Sequence, residues 1–492
     1  MRKVVLAALL LTGFCVDMVL AKDTTRESVV KIYATQRPPD FIRPWTKAGA
    51  RKTSGTGIVI EGNRVLTNWH VVEYASQLFV QLDQSTDRLP AEIVVAAPGL
   101  DMAILRLESA EALTDVPPLG IQPSLPTVRA TVNVYGYPVG GDDLSVTEGI
   151  VSRIEFASYG LDASGLRIQV DAALNPGNSG GPAVIDGKVV GLVFSKMNQA
   201  ENIGYLIPAE EINSFLLDGA DGTYEGKPTL FDKMQTTENA ALRDKLGLPA
   251  DGGGVMVREA NPAVGYPVQA DDVITHIADQ EIDNRGNVRI SDDLRLDFRY
   301  LVPQHAEDGH IPLTLFRNGK SVQMKVPVKT RRELLMPMLH GKYPRYFIFG
   351  PMVFTVATQD FLSALGVKGY VYLSTINSPL MERRLDEPAF EGEEVVVLAN
   401  RMLPHRMIKG YSNTPFGTIA SVNGQAVENL RQVAELLRDL EDEFLTFEFH
   451  GENEKIVFRR KAMIEATEDI LADEGIRYHA SSDLRDINHG GP

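Results

Sequence analysis

The sequence predicts a mainly β chain, with one long strand-rich region over residues 28–214 and two smaller α+β units behind it. Three observations carry this. Short runs of β-branched and aromatic residues, each bounded by Gly, Pro, Asn or Asp, recur through the front of the chain. Asp186-Gly187 sits between the apolar triplets 183–185 and 188–190, the strongest short-range signal for a two-residue hairpin. A polar, glycine-rich stretch at 218–227 then breaks the pattern, and the strand-and-helix grammar resumes behind it.

Residues 1–21 read as a cleavable signal peptide rather than as part of the fold. Arg2 and Lys3 precede an uncharged apolar run over 4–16, and Val19 and Ala21 stand where a signal peptidase reads small residues. The run is shorter than the ~20 residues a membrane span needs, and no later stretch reaches that length. The mature chain is therefore expected to start at Lys22, without a transmembrane segment. Cys15, the one cysteine, lies in this leader behind Phe14, where a lipid-anchor signal wants a small residue. The exported chain is expected to hold no disulfide and to take its stability from packing and assembly.

The front domain, 22–218, is expected to place strands at 28–33, 57–60, 64–67, 77–82, 102–107 and 131–135, and a short helix at 209–217 closes it. The second unit, 222–330, has strand-like runs at 254–257, 272–275 and 311–316. The third, 340–462, repeats that grammar with a run at 418–422, a turn at Asn423-Gly424, an amphipathic stretch at 430–440 and a run at 444–449. Residues 463–492 read as a C-terminal tail, helical over 463–472.

Apolar residues make up 44% of the chain, enough for real cores, which excludes a disordered or fibrous protein. Acidic residues outnumber basic ones 65 to 49, for a net charge of -16, and the Lys and Arg are scattered. Nucleic acid and anionic membrane surfaces are poor partners for such a chain, because both require a clustered basic footprint.

One segment decides the chemistry of the front domain: Gly177-Asn178-Ser179-Gly180-Gly181-Pro182. A serine hydroxyl is a weak nucleophile until a base takes its proton, and acyl transfer needs donors for the oxyanion it creates. The glycines allow a sharp turn on which the amides of Gly177 and Ser179 can aim at one point. Standing alone, the segment would be read as a plain glycine-rich turn. The histidines discriminate. Of nine in the chain only His70 precedes residue 276, so a base within this domain is His70. Asp101 heads the apolar strand 102–107, where a carboxylate is costly to bury without a partner, and the His70 imidazole would be that partner.

Gly-x-Ser-x-Gly also occurs in the nucleophile elbow of α/β-hydrolases. An elbow leads into a helix, and its histidine follows the serine. Here a hairpin follows, and the next histidine, His276, falls in another unit. The chain order His, Asp, Ser is that of a chymotrypsin-type double barrel.

Thr67-Asn68-Trp69-His70-Val71-Val72, Asp101-Met102-Ala103-Ile104-Leu105 and the run from Asp171 to Pro182 resemble the three catalytic motifs of the Deg/HtrA serine proteases. Asn202-Ile203-Gly204-Tyr205-Leu206-Ile207-Pro208 is similar to the end of their protease domain. The likeness continues through Pro39-Asp40-Phe41-Ile42-Arg43-Pro44-Trp45 and Tyr346-Phe347-Ile348-Phe349, and is greatest to the plant organellar branch. The resemblance implies a chymotrypsin-like double β-barrel protease domain followed by two PDZ-like α+β domains. It implies an ATP-independent serine endopeptidase of protein quality control, acting on misfolded or unfolded proteins and assembling as a homotrimer or a multiple of trimers. With the leader, it places the protein in the periplasm. Ser179 would attack, His70 would act as base and then acid, Asp101 would orient it, and the amides of Gly177 and Ser179 would form the oxyanion hole. The rival class is a chaperone or peptide-binding adaptor on a protease-like scaffold.

Asn178 stands where secreted trypsin-like zymogens carry an aspartate for a newly cut N-terminus, so control is expected through loop ordering. The resemblance points to residues 155–165 and 195–201 for those loops. In the second unit Thr229-Leu230-Phe231-Asp232 aligns with the family's carboxylate-binding loop but lacks glycine and adds an acid, which speaks against capture of free C-termini. No charge near Leu174, Asn175 or Phe194 selects a charged residue, so a small apolar primary pocket is expected, with cleavage after Val, Ala, Ile or Leu. Pro38 to Trp45 form a Pro-stiffened apolar arm that needs its own barrel or a neighbouring subunit as partner. No cofactor is implied, and neither His-Glu-x-x-His nor paired cysteines offer a metal site.

Overall fold

The structure is a computed structural model that describes residues 25–159, 163–196, 204–249, 251–411, 415–451 and 454–487. The leader 1–21 lies outside the described residues.

The front domain folds into two closed antiparallel barrels of six strands each. Barrel 1 is built from β1 (Val29–Gln36), β2 (Arg51–Ile60), β3 (Arg64–Thr67), β4 (Ala75–Gln81), β5 (Leu89–Ala97) and β6 (Met102–Leu107), in the order β1-β2-β3-β6-β5-β4. Barrel 2 holds β7 (Thr131–Gly136), β8 (Ser145–Ser158), β9 (Ser164–Val170), β10 (Pro182–Ile185), β11 (Lys188–Lys196) and β12 (Gly204–Pro208), in the order β10-β11-β12-β9-β8-β7. Side chains alternate along each strand. Val30, Ile32 and Ala34 of β1 therefore fill barrel 1 with Val59, Val65 and Leu105. Val29 turns the other way and joins Ile58, Leu66, Tyr135, Leu192 and Ile207 in a core shared by the two barrels. Helix α2 (Ala209–Asp218) closes the domain by adding Ile212 and Phe215 to that shared core.

Four strands were not among those expected: β5, β8, β9 and β12, the last read only as similar to the end of a protease domain. β5 carries Pro90 and exposed positions, and β8 and β9 interleave Glu148, Arg153, Glu155, Arg167 and Gln169 with their apolar residues. Their apolar face is read only against a partner strand. The hairpin at Asp186-Gly187 forms as expected, with Ile185 paired to Lys188.

The second unit is a sheet led by Lys233–Thr236, Val255–Glu259, Val273–Ile277, His310–Arg317 and Lys320–Pro327, with a short helix at Val302–His305. It docks on barrel 2: Leu296 sits in the barrel core with Val132 and Ile168, and the Tyr300 hydroxyl donates to Glu210 Oε2 at 2.9 Å.

The third unit has a three-stranded sheet (Tyr346–Phe349, Met352–Val356, Val396–Leu398) and a four-stranded one around Ile419–Val422 and Phe444–Phe449. Helix Leu430–Asp439 buries Leu430, Val433, Ala434 and Leu437 against them. Helix Arg460–Asp473 takes in the start of the segment read as a tail. Met463 joins the same core, and Ile470 and Leu471 pack beside Tyr346 and Ile348.

The apolar arm departs from its expectation. Phe41 and Ile42 pack against Leu335, Met336, Phe361 and Leu380, and Trp45 packs beside Tyr346 and Ile470, all in or leading into the third unit of the same chain. Large apolar side chains are buried wherever a complementary face lies in reach. The segment 335–343 brings that face to barrel 1, where the Tyr343 hydroxyl donates to Arg37 O at 2.9 Å.

Candidate active site

His70 lies in α1 (Trp69–Val72), the single turn that follows β3, and Asp101 lies just ahead of β6. Because β3 and β6 are paired neighbours, residues at their ends meet. Asp101 adopts φ +57°, a left-handed conformation that Asp tolerates better than most residues, and so turns its carboxylate toward α1. That carboxylate holds His70 twice. Oδ1 accepts the His70 backbone N–H at 2.8 Å, and Oδ2 lies 2.6 Å from Nδ1. The Asp101 carbonyl accepts from Asn68 Nδ2 at 2.9 Å and from Trp69 N at 3.2 Å. From the other side Gln36 Nε2 donates to His70 O at 2.8 Å, and Arg51 Nη2 donates to Gln36 Oε1 at 2.8 Å.

A carboxylate can only accept, so Nδ1 carries the ring proton and Nε2 keeps its lone pair. The His70 side chain is 48% exposed and that of Asp101 13%. Burial works against the imidazolium, but the hydrogen bond and charge of Asp101, with the charge of Glu73, outweigh it. His70 therefore holds its proton more tightly than an ordinary imidazole.

The loop 175–181 of barrel 2 is held by barrel 1. Thr56 N donates to Ser179 O at 2.9 Å, and Thr56 Oγ1 donates to Gly177 O at 2.8 Å while accepting Tyr137 N at 2.9 Å. Val139 N donates to Pro176 O at 2.8 Å. Gly177 has φ +100°, and a Cβ there would come within 2.4 Å of Tyr137 O, so only glycine fits. Gly55 marks where the two halves meet, since a Cβ there would lie 2.6 Å from Val71 and 3.3 Å from Ser179 O. Among the described residues the amides of Gly177 and Ser179 donate to nothing, and Ser179 Oγ has no hydrogen-bond partner.

The trypsin-like peptidase domain family matches residues 55–192, and the PDZ domain family matches residues 337–483. "Protease Do-like 2, chloroplastic" of Arabidopsis thaliana is 34% identical over 469 residues, covering 93% of this chain and 75% of the relative. The chain belongs to the Do-like, or Deg/HtrA, family of serine proteases. "Protease Do-like 4, mitochondrial" of the same plant is 34% identical over 456 residues, 91% of this chain and 84% of that one. A variant of the HtrA-type protease AlgW, solved with a decapeptide, shares the fold at a TM-score of 0.50 and 24% identity, over 63% of this chain and 97% of that chain. This Do-like protease is a serine endopeptidase with a chymotrypsin-like double barrel and a PDZ domain.

Around the site of this Do-like protease, Leu174 is buried against Gly204 and Val170. The rings of Tyr159 and Phe194 lie 5.4 Å apart, with the Arg167 guanidinium 4.4 Å over Tyr159 and 5.1 Å over Phe194, so that a charge from β9 stands beside Phe194 where none was expected. Of the two expected control loops, residues 160–162 and 197–201 lie outside the described residues. Asn178 is 3% exposed, and its Oδ1 has no partner among the described residues. In the second unit Asp232 Oδ1 accepts Asn261 N at 3.1 Å and Oδ2 accepts the Tyr266 hydroxyl at 2.7 Å, while burial raises the Asp232 pKa.

Sequence reasoning brought out His70, Asp101, Ser179 and Gly177, and missed Gln36, Thr56, Asn68 and Val139. Each of these four makes its contact with a group of the site through a backbone atom, its own or its partner's, from a distant or unremarkable position. No spacing rule marks such a residue.

Proposed function

We propose that this protease cleaves unfolded polypeptides through an acyl-enzyme, with Ser179 as nucleophile, His70 as base and then acid, Asp101 as its orienting group, and the amides of Gly177 and Ser179 as the oxyanion hole. The observation that carries the reading is the pair of free amides flanking Asn178, in a loop whose carbonyls are held by Thr56 and Val139. As Ser179 Oγ attacks, its proton passes to His70 Nε2, and Asp101 stabilises the imidazolium that forms. The carbonyl oxygen, now negative, accepts the two amides. His70 then gives the proton to the leaving amine, and water repeats the sequence on the ester. Ser179 Oγ is not bonded to His70 in this structure, and substrate seating would bring the two within reach.

The buried Leu174 supports a small apolar primary pocket and cleavage after Val, Ala, Ile or Leu. Such residues are buried in folded proteins, which ties this preference to unfolded, ATP-independent turnover. The inward hydrogen bonds of Asp232 favour a first PDZ-like unit that serves assembly rather than tail capture. Periplasmic location is proposed from the leader; the relatives quoted above are chloroplastic and mitochondrial. Assembly in threes rests on the family alone, since the arm packs within its own chain.

The deciding experiment is hydrolysis of an unfolded protein such as casein by wild type beside Ser179→Ala. Loss by orders of magnitude at unchanged melting temperature supports the reading. Persistent turnover by a contaminant-free variant would overturn Ser179 as the nucleophile, and absence of hydrolysis by the wild type would promote the chaperone class instead.

A further inference from the structure

Lys31 is a buried lysine that the active site described above does not use. It lies on β1, paired with Thr56 of β2 and Gln81 of β4, and is 6% exposed. Its ammonium crosses to the β7–β8 loop of barrel 2, where Nζ donates to Gly141 O at 2.7 Å and to Asp142 Oδ1 at 2.8 Å. The rings of Tyr33 and Tyr137 flank it at 5.1 and 5.9 Å from Nζ to their centroids. A buried ammonium needs such partners, and in exchange it fixes them.

What it fixes is the turn 138–141, closed by Gly141 N donating to Pro138 O at 3.2 Å. Inside that turn Val139 N donates to Pro176 O at 2.8 Å. The Pro176–Gly177 peptide is planar and trans, so its carbonyl and its N–H point in opposite directions. Holding the carbonyl on Val139 therefore aims the Gly177 N–H away from the turn. If the turn withdrew, that peptide could rotate and the amide would leave its place. Asn178 offers no charge by which the loop could be anchored from within.

We infer that Lys31 is a positioning residue for the oxyanion hole: by tying the turn 138–141 to barrel 1 it keeps the Pro176–Gly177 peptide oriented. The inference rests on the roles proposed for Gly177 and Ser179. A cavity of about 380 Å³ beside the Lys31 side chain leaves room for substitution.

The test is steady-state hydrolysis of a chromogenic peptide with Val at the cleaved position, per active-site-titrated molecule and below the melting temperature of each variant. Lys31→Met should lower kcat about 10- to 100-fold with KM within about two-fold, because the lost interaction is one made with the transition state. Lys31→Arg, which keeps a donor, should recover most of the loss. A merely structural role would lower the melting temperature and leave kcat alone. Folded Lys31→Met with wild-type kcat overturns the inference while leaving the site reading intact. An active Ser179→Ala would instead overturn that reading. Should Lys31→Met fail to fold, Lys31→Gln, which keeps a polar group at the seam but removes the ammonium that holds Gly141 O, carries the test: a fall in kcat of about ten-fold at constant KM supports the inference, and an unchanged kcat overturns it.

Discussion

The hydroxyl of Thr56, in barrel 1, donates to the carbonyl of Gly177, in barrel 2, at 2.8 Å, and the same oxygen accepts Tyr137 N at 2.9 Å. One fully buried side chain thus stitches the loop 175–181 to the opposite barrel. Thr56→Val keeps the shape but strands Tyr137 N and frees Gly177 O. Leaving a buried donor unpaired costs about 1 to 3 kcal/mol, so the melting temperature should fall by several degrees. Because the Gly177 peptide loosens, kcat should drop about ten-fold or more while KM holds. Thr56→Ser, which retains the hydroxyl, should restore kcat; if it does not, the hydrogen bond is not what matters.

The His70–Asp101 pair sets a pH dependence. Since Asp101 raises the His70 pKa, the acid limb of kcat/KM should have its midpoint above the ordinary 6.5. Asp101→Asn removes the raising influence, so the limb should move down in pH while kcat falls about 10⁴-fold through loss of the correct tautomer. The stability linkage has the same origin. A histidine with a raised folded pKa stabilises the fold below its unfolded value and loses that contribution as pH rises through the folded one. The melting-temperature difference between wild type and His70→Ala should therefore shrink between pH 6 and pH 9, and a difference constant over that range would refute the assignment.

How much was legible in the sequence depended on whether a signal was local. His70, Asp101 and Ser179 could be read because a nucleophile loop, a single eligible histidine and an acid before an apolar strand are each visible in a few residues. Asp186-Gly187 declared its hairpin for the same reason. Lys31 could not be read, because a lysine within Val29-Val30-Lys31-Ile32 looks like the solvated face of a strand until β7–β8 of the other barrel covers it. The arm was half legible: Phe41, Ile42 and Trp45 announced that they needed a partner, but an apolar side chain does not encode which face it will meet.

Asn178 gives a separate prediction. Its side chain is buried, and Oδ1 has no partner among the described residues, with Gly136 packed against it. Asn178→Asp keeps the shape and places a carboxylate where, among the described residues, no hydrogen-bond partner meets the side-chain oxygen. Burial raises the pKa of such an acid, so the penalty is small at acid pH and grows as pH rises above the unfolded value near 4. Thermal melts should show a loss of about 3 to 5 kcal/mol at pH 8 and much less at pH 4.5. An equal loss at both would mean that packing, not charge, is at fault.

The last prediction concerns the seam between the third unit and the turn that carries His70. Gly341 has φ +80°, and a Cβ there would lie 2.5 Å from Trp69 Cζ2, the residue immediately before His70. Around it Lys47 Nζ sits 4.1 Å over the Tyr343 ring, and the rings of Tyr74 and Tyr343 are 5.6 Å apart. Gly341→Ala would pay twice, for a left-handed backbone and for a methyl driven into the indole, together about 2 to 4 kcal/mol. The chain can release that strain by lifting the segment 339–343 off α1, which would also free the arm. Its only two tryptophans, Trp45 and Trp69, both lie on this seam, so intrinsic fluorescence reports on it directly. The variant should show red-shifted emission, a lower melting temperature and reduced kcat, since α1 loses its outer support. Unchanged emission would show that the methyl is absorbed without opening the seam. Red-shifted emission with wild-type kcat would show that Asp101 and Gln36 alone suffice to hold His70.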